Sequence, residues 1–197
     1  MATLHVTVFW CKDADTAYFR TAPIFAACRE IAGKYGLQLE SFPQHVREPP
    51  FVLDFMGEVI GPADYAGGLQ TMFDAANRRV RGLADQAYQG GGRLPIVFGT
   101  LDSGRAGDLY IGQTIMTVTA QGKTARSDWL PWCVVDPVKA TDRPHTLLHE
   151  MGHAAGALHN TDLKAGAGEL MVDGDITPPI TIEPTVVDLF KRSYFCW

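Results

Sequence analysis

Residues 149–159 read HEMGHAAGALH, so His149, Glu150, His153, Gly156 and His159 stand at the spacing H-E-x-x-H-x-x-G-x-x-H. On an α-helix, positions i and i+4 share a face, and the imidazoles of His149 and His153 can then reach one zinc ion at ~2.0–2.1 Å. Glu150 follows the first ligand by one residue, near the ion but turned from the ligand direction, which suits a general base acting on the metal's water. Gly156 permits the positive φ that stops a helix and swings the chain round, so that His159 returns as a third ligand from outside the helix. Three histidines leave the fourth position of one catalytic zinc to water, whose pKa the ion would lower toward ~7.

A lone histidine is usually a surface or core residue, and H-E-x-x-H alone turns up by accident in long sequence sets. Adding Gly156 and His159 at fixed offsets cuts chance matches by roughly several hundredfold, because Gly is ~7% of residues and His is rarer. His145, four residues before the first ligand, is read as structural, since three histidines already suffice.

The motif needs a helix under it. Thr141 and Asp142 supply a cap and a first-turn acid and Pro144 fits a first turn, which predicts a helix from about 142 to Gly156. Upstream, residues 3–10 (TLHVTVFW) alternate as a strand, with Leu4, Val6, Val8 and Trp10 on one face. Thr21 as cap and Pro23 in the first turn predict a helix ending at Gly36, with Ile24, Cys28, Ile31 and Tyr35 on its buried stripe.

Residues 37–43 read as a second strand, followed by a loop through Pro49, Pro50, Gly61, Gly67 and Gly68 and an amphipathic helix at about 69–89. The run Gly90–Gly92 lacks the Lys and Ser/Thr of a phosphate loop and reads as a turn. Further strands are expected at 94–99, at about 109–119 and at 129–136, and a last helix near Pro184 with Val186, Leu189, Phe190 and Tyr194 as its apolar side.

The whole chain has 197 residues, 46% of them hydrophobic and 20% charged, the balance of one folded, water-soluble domain. A formal net charge of −5 gives no overall pull toward phosphates, so nucleic acid is not an expected partner. No run reaches the ~18–20 apolar residues of a membrane span. The start, MATLHVTVFWCKDAD, has no basic n-region or sustained apolar stretch, so the expectation is a cytoplasmic protein or one exported without a signal, with a secreted mature domain second. Cys11, Cys28, Cys133 and Cys196 form no CxxC pair and are read as free thiols, with two disulfides the other possibility. Neither Cys11 nor Cys196 is well placed to block a metal as a latency cysteine would.

With those residues in view, the sequence resembles the metzincin clan of zinc endopeptidases, whose long motif is matched at every fixed position by His149, Glu150, His153, Gly156 and His159. The resemblance implies a Met-containing turn beneath the ligands, and Met171, in GELMVDG, is the only Met after His159. It also implies an α+β fold: a twisted mixed sheet with backing and active-site helices above a cleft (1–156), and a small carboxy-terminal part with the Met-turn and a terminal helix (157–197). Asn160 follows the third histidine and the size is matrixin-like, but no subfamily is assigned. The helix at about 69–89 would be an insertion relative to the smallest members.

The function implied is a monomeric zinc endopeptidase acting on protein or peptide substrates, with Glu150 passing the water's proton to the leaving amine. An extended substrate should pair antiparallel to an edge strand from 109–119, and its residue after the scissile bond should enter a pocket walled by the segment DGDITPPITIEP, with Ile176, Ile180 and Ile182. Two other readings stay open: a zinc amide hydrolase acting on a non-protein or cell-wall substrate, and a zinc-stabilised toxin or binding module.

Overall fold

The structure is a computed structural model and describes residues 1–10, 14–45, 52–54, 92–98, 100–102, 112–115, 117–120, 123–126, 131–164, 167–174 and 176–197. The expected helix at about 69–89 and Cys11 lie outside the described residues.

A mixed sheet forms the frame. Strand β1 (Ala2–Trp10), helix α1 (Ala14–Gly33) and strand β2 (Leu37–His45) make a βαβ unit in which β1 and β2 pair in parallel. Two further parallel strands, β4 (Leu94–Phe98) and β9 (Trp132–Val135), extend it, and β6 (Gly112–Ile115) closes one edge antiparallel to β9, giving the order β2-β1-β4-β9-β6. Strands β4 and β9 are buried along their whole length, as expected of parallel strands covered on both faces, and their sequences LPIVF and WCVV accordingly do not alternate.

Beyond the sheet stand β3 (Val52–Asp54) paired with β5 (Thr100–Asp102), and a hairpin of β7 (Thr117–Ala120) with β8 (Lys123–Arg126). After β9 come a 3-10 turn (Lys139–Asp142), α2 (Thr146–Ala154) and α3 (Pro184–Arg192). Among the described residues no helix is long and apolar enough to cross a membrane.

Several boundaries differ from the sequence reading. Helix α1 begins at Ala14, so Thr21 is a buried interior residue and not a cap, and Pro23 lies inside the helix. Pro costs an interior helix a hydrogen bond, so local propensity favours starting the helix there; the helix nevertheless runs through Pro23, and the stripe of Ile24, Cys28 and Ile31 that follows is buried in the core. The segment read as loop after residue 43 contains β3, too short for a periodic signal. The single strand expected at 109–119 is two, β6 and β7, which serve different sheets, and β8 was not foreseen.

The helix expected from 142 begins only at Thr146: Thr141 and Asp142 belong to the 3-10 turn, and the residue before α2, His145, makes no side-chain cap. Asp136 captures the chain at that point, its carboxylate accepting from the Val138 and Lys139 amides at 3.0 and 3.2 Å.

The core runs from α1 through the sheet to α2 and α3, joining Leu4, Phe98, Leu148, Met151, Phe190 and Phe195 in one cluster. Where β4 has not yet begun, the last residues of the chain lie along β1: the His5 amide donates to Phe195 O at 2.7 Å and the Trp197 amide to Thr3 O at 3.1 Å. Cys196 is therefore buried against Leu4, and Cys28, Cys133 and Cys196 are all free thiols.

Candidate metal centre

Helix α2 places His149 and His153 one turn apart on one face, with Glu150 between them in sequence. The helix stops at Ala154. Gly156 then takes φ +100°, a conformation strained for any residue with a Cβ, and the Ala157 amide donates back to Gly152 O at 2.9 Å. This reversal returns His159 to the face it would have left had the helix continued.

The three rings meet through their Nε2 atoms, which are 3.1 Å apart for His149 and His153, 3.0 Å for His153 and His159, and 3.3 Å for His149 and His159. The opposite nitrogens decide the chemistry. His149 Nδ1 lies 2.6 Å from Leu170 O and His153 Nδ1 lies 2.8 Å from Ala157 O. A carbonyl oxygen only accepts, so in both rings Nδ1 carries the proton and donates, and Nε2 is a bare lone pair. Burial holds the His149 imidazolium pKa down at about 4, reinforced by the neighbouring imidazoles and opposed by the Leu170 carbonyl. His153 is lowered for the same first reason. Bare lone pairs aimed at one another repel, and a cation placed among the three turns that repulsion into coordination. His149, His153 and His159 together could hold a metal ion.

The surroundings orient the rings. Leu170, whose carbonyl fixes His149, precedes Met171, and the Met171 amide donates to Glu169 Oε2 at 2.9 Å. Met171 itself is buried, its sulfur against the Gly152 backbone between the two helical histidines. Asn160 ties the third-histidine segment down twice: its amide donates to Met171 O at 2.8 Å, and its side-chain Nδ2 donates to Glu183 Oε1 at 2.8 Å, just before α3.

Glu150 is buried and stands outside the three-histidine cluster, facing β6. Thr114 Oγ1 is 2.8 Å from Glu150 Oε2 and 2.6 Å from the Glu150 carbonyl oxygen. Burial pushes the Glu150 carboxyl up to about 7, and the hydrogen bond from Thr114 partly opposes the shift.

His145 is buried just ahead of α2 and does not enter the cluster, nor does Cys196. Ile176, Ile180 and Ile182, expected along a pocket wall, are buried in the core cluster. Sequence reasoning singled out neither Thr114 nor Gly112 beside Glu150, nor the carbonyls of Leu170 and Ala157. Only a threonine and a glycine inside an expected strand hinted at the first pair, and backbone carbonyls leave no mark on a sequence.

No family model matches the chain, and no curated protein is similar to it in sequence. In structure it is similar to metalloproteinase-II from Bacteroides fragilis, at a TM-score of 0.52 and 16% identity over 98% of this chain. The chain spans about half of that protein, 53% of its length. At that identity the similarity is one of fold, a mixed α/β architecture.

Proposed function

We propose that this protein is a zinc-dependent endopeptidase of metzincin type, with His149, His153 and His159 as metal ligands and Glu150 as general base. The reading rests on one observation above the others: three imidazole Nε2 atoms converge within 3.0–3.3 Å while carbonyls hold the Nδ1 protons of His149 and His153. A tetrahedral ion with ~2.0–2.1 Å bonds spaces its ligand atoms about 3.3–3.4 Å apart, so the triangle suits zinc after small movements. The fold shared with a metalloproteinase supports the same reading, and Met171 below the ligands is read as the Met-turn residue.

When bound, zinc would supply Lewis acidity, acidifying a water and polarising the scissile carbonyl. Glu150, with its carboxyl near neutrality, takes the proton of the attacking water and returns it to the leaving amine, ending as it began. Strand β6 has a partner on one side only among the described strands, so its free edge offers backbone groups to an extended peptide, which pairs antiparallel to it. Protein or peptide is therefore the expected substrate class.

The test is digestion of a proteome-derived peptide library by the zinc-loaded protein, read by mass spectrometry beside a chelated sample and a Glu150→Ala variant. New cleavage termini that vanish in both controls, while Glu150→Ala keeps its metal, support the reading. Cleavage by the variant within about tenfold of the native rate, ~1.4 kcal/mol of barrier, removes Glu150 as base. No cleavage by a correctly loaded protein overturns the peptidase assignment.

A further inference from the structure

Glu150 has two carboxylate oxygens in different surroundings, and β6 makes the difference. Oε2 lies 2.8 Å from Thr114 Oγ1. Oε1 lies over Gly112, two residues earlier on the same face of the strand: a Cβ at Gly112 would stand 3.3 Å from Oε1 and 2.9 Å from both Glu150 Cγ and Thr146 Cγ2. A side chain at 112 would occupy the room that the glutamate uses.

Behind Thr114, directly across the β6–β9 register, Cys133 Sγ is 3.6 Å from the same hydroxyl oxygen. Thr114 has a single hydroxyl proton, and Glu150 presents two acceptors to it, the carbonyl oxygen at 2.6 Å and Oε2. The contact with Cys133 is therefore S–H donating to Oγ1, and burial keeps that thiol protonated. The direction of the chain is Cys133 to Thr114 to Glu150, where the one hydroxyl proton is shared between the carbonyl oxygen and Oε2.

We infer that Thr114 is the positioning residue of the general base: its hydroxyl ties Glu150 Oε2 to β6 and leaves Oε1, above Gly112, as the oxygen that exchanges a proton. This rests on the reading of Glu150 as the base. When Oε1 takes a proton from water, Oε2 remains an acceptor for the same hydroxyl, so the tie holds in both protonation states. When Oε1 passes that proton to the leaving nitrogen, the carboxylate is restored without turning over. The strand offered to substrate and the residue offered to water are thus held in one register by one hydroxyl, which couples the seating of a peptide on β6 to the place of the base.

The experiment compares native protein with Thr114→Val, which lacks the hydroxyl, Thr114→Ala, and Thr114→Ser, which keeps it. All are zinc-loaded and assayed on a fluorogenic peptide chosen from the library digest, and crystal structures of the native protein and Thr114→Val are determined alongside. Thr114→Val and Thr114→Ala are expected to lower kcat roughly 10–100-fold, the usual cost of losing a partner one step removed from a metal site. KM and zinc content should stay within about twofold and Thr114→Ser within about threefold of native. In a Glu150→Gln background, Thr114→Val should leave the residual rate unchanged, and in the crystal structure of the single variant Thr114→Val, Glu150 Oε2 should have left β6. A kcat for Thr114→Val within threefold of native, a Thr114→Ser variant as impaired as Thr114→Val, or a further loss in the Glu150→Gln background overturns the proposal. If the native protein cleaves no peptide, the peptidase reading has failed, and the crystal structures decide this inference alone: Oε2 unmoved in Thr114→Val refutes it, Oε2 displaced supports it.

Discussion

Met171 Sδ fills the space a side chain at Gly152 would need: a Cβ there would stand 2.5 Å from the sulfur and 3.2 Å from Met171 Cε. Gly152 lies on α2 between Glu150 and His153, so the thioether meets the helix backbone between these two residues. Gly152→Ala is expected to destabilise by ~1–3 kcal/mol through overpacking and to weaken metal retention as α2 or Met171 gives way. Met171→Leu keeps the volume and should cost under ~1.5 kcal/mol. Urea denaturation with metal analysis checks both; a loss of zinc from Met171→Leu as complete as that from a missing histidine would contradict a packing role.

The protein should bind about one zinc per chain, and replacing His149 and His153 together by Ala should abolish it. Elemental analysis after gel filtration measures this directly. An unchanged stoichiometry in the double variant would place the metal elsewhere.

Protons should compete poorly with the metal. Burial lowers His149 from an ordinary 6.5 to about 4 and lowers His153 in the same direction, so these rings stay neutral at pH values where free imidazole is charged. Between pH 7 and 5.5, three ordinary imidazoles would lose roughly 500-fold in affinity through protonation. The folded protein should lose under about 50-fold, read by competition with a chromophoric chelator. A full three-histidine pH dependence would show that the rings are solvated.

In metal-free protein the sign for Glu150 runs the other way. Its folded pKa is raised from 4.5 to about 7, so its contribution to stability is present in full below pH 4.5 and is lost as pH rises through about 7. Glu150→Gln stays neutral throughout. Its stability advantage over native apoprotein should therefore be near zero at pH 4 and grow to at most ~3 kcal/mol by pH 8, at 1.36 kcal/mol per pKa unit. Denaturation midpoints across that range decide it; an advantage that shrinks with rising pH would refute the burial argument.

Replacing Gly156 by Ala imposes a side chain on φ +100°, although no atom lies within 4 Å to obstruct it. The expected cost is ~1–2 kcal/mol of backbone strain. The strain can relax by withdrawing His159, so zinc affinity should fall more than stability does. Calorimetry of zinc binding beside thermal denaturation separates the two, and an unaltered affinity would show that the reversal does not depend on glycine.

What could be read from the sequence was local. The i, i+4 relation of His149 and His153 is helix geometry, and the turn that recovers His159 needs only a residue that accepts positive φ. Both depend on neighbours within ten residues, so spacing alone set out the histidine triangle. The strand at 2–10 and the buried stripe of Ile24, Cys28 and Ile31 were legible for the same reason, because period 2 and period 3.6 are imposed by the backbone.

The remaining features come from distant parts of the chain. Helix α1 begins ahead of Pro23, and 109–119 is divided between two sheets, each strand paired with a different partner, β6 with β9 and β7 with β8; a sequence period does not name a partner strand. Leu170, 21 residues from His149, supplies the carbonyl that fixes its tautomer, and Thr114, 36 residues from Glu150, supplies the hydroxyl on its carboxylate. A hydrogen bond needs two atoms within about 3 Å, and a sequence holds no distance between residues that far apart. The three clustered histidines were thus written locally, whereas their proton positions and the seat of Glu150 were decided only when β6, α2 and the Met171 turn came together.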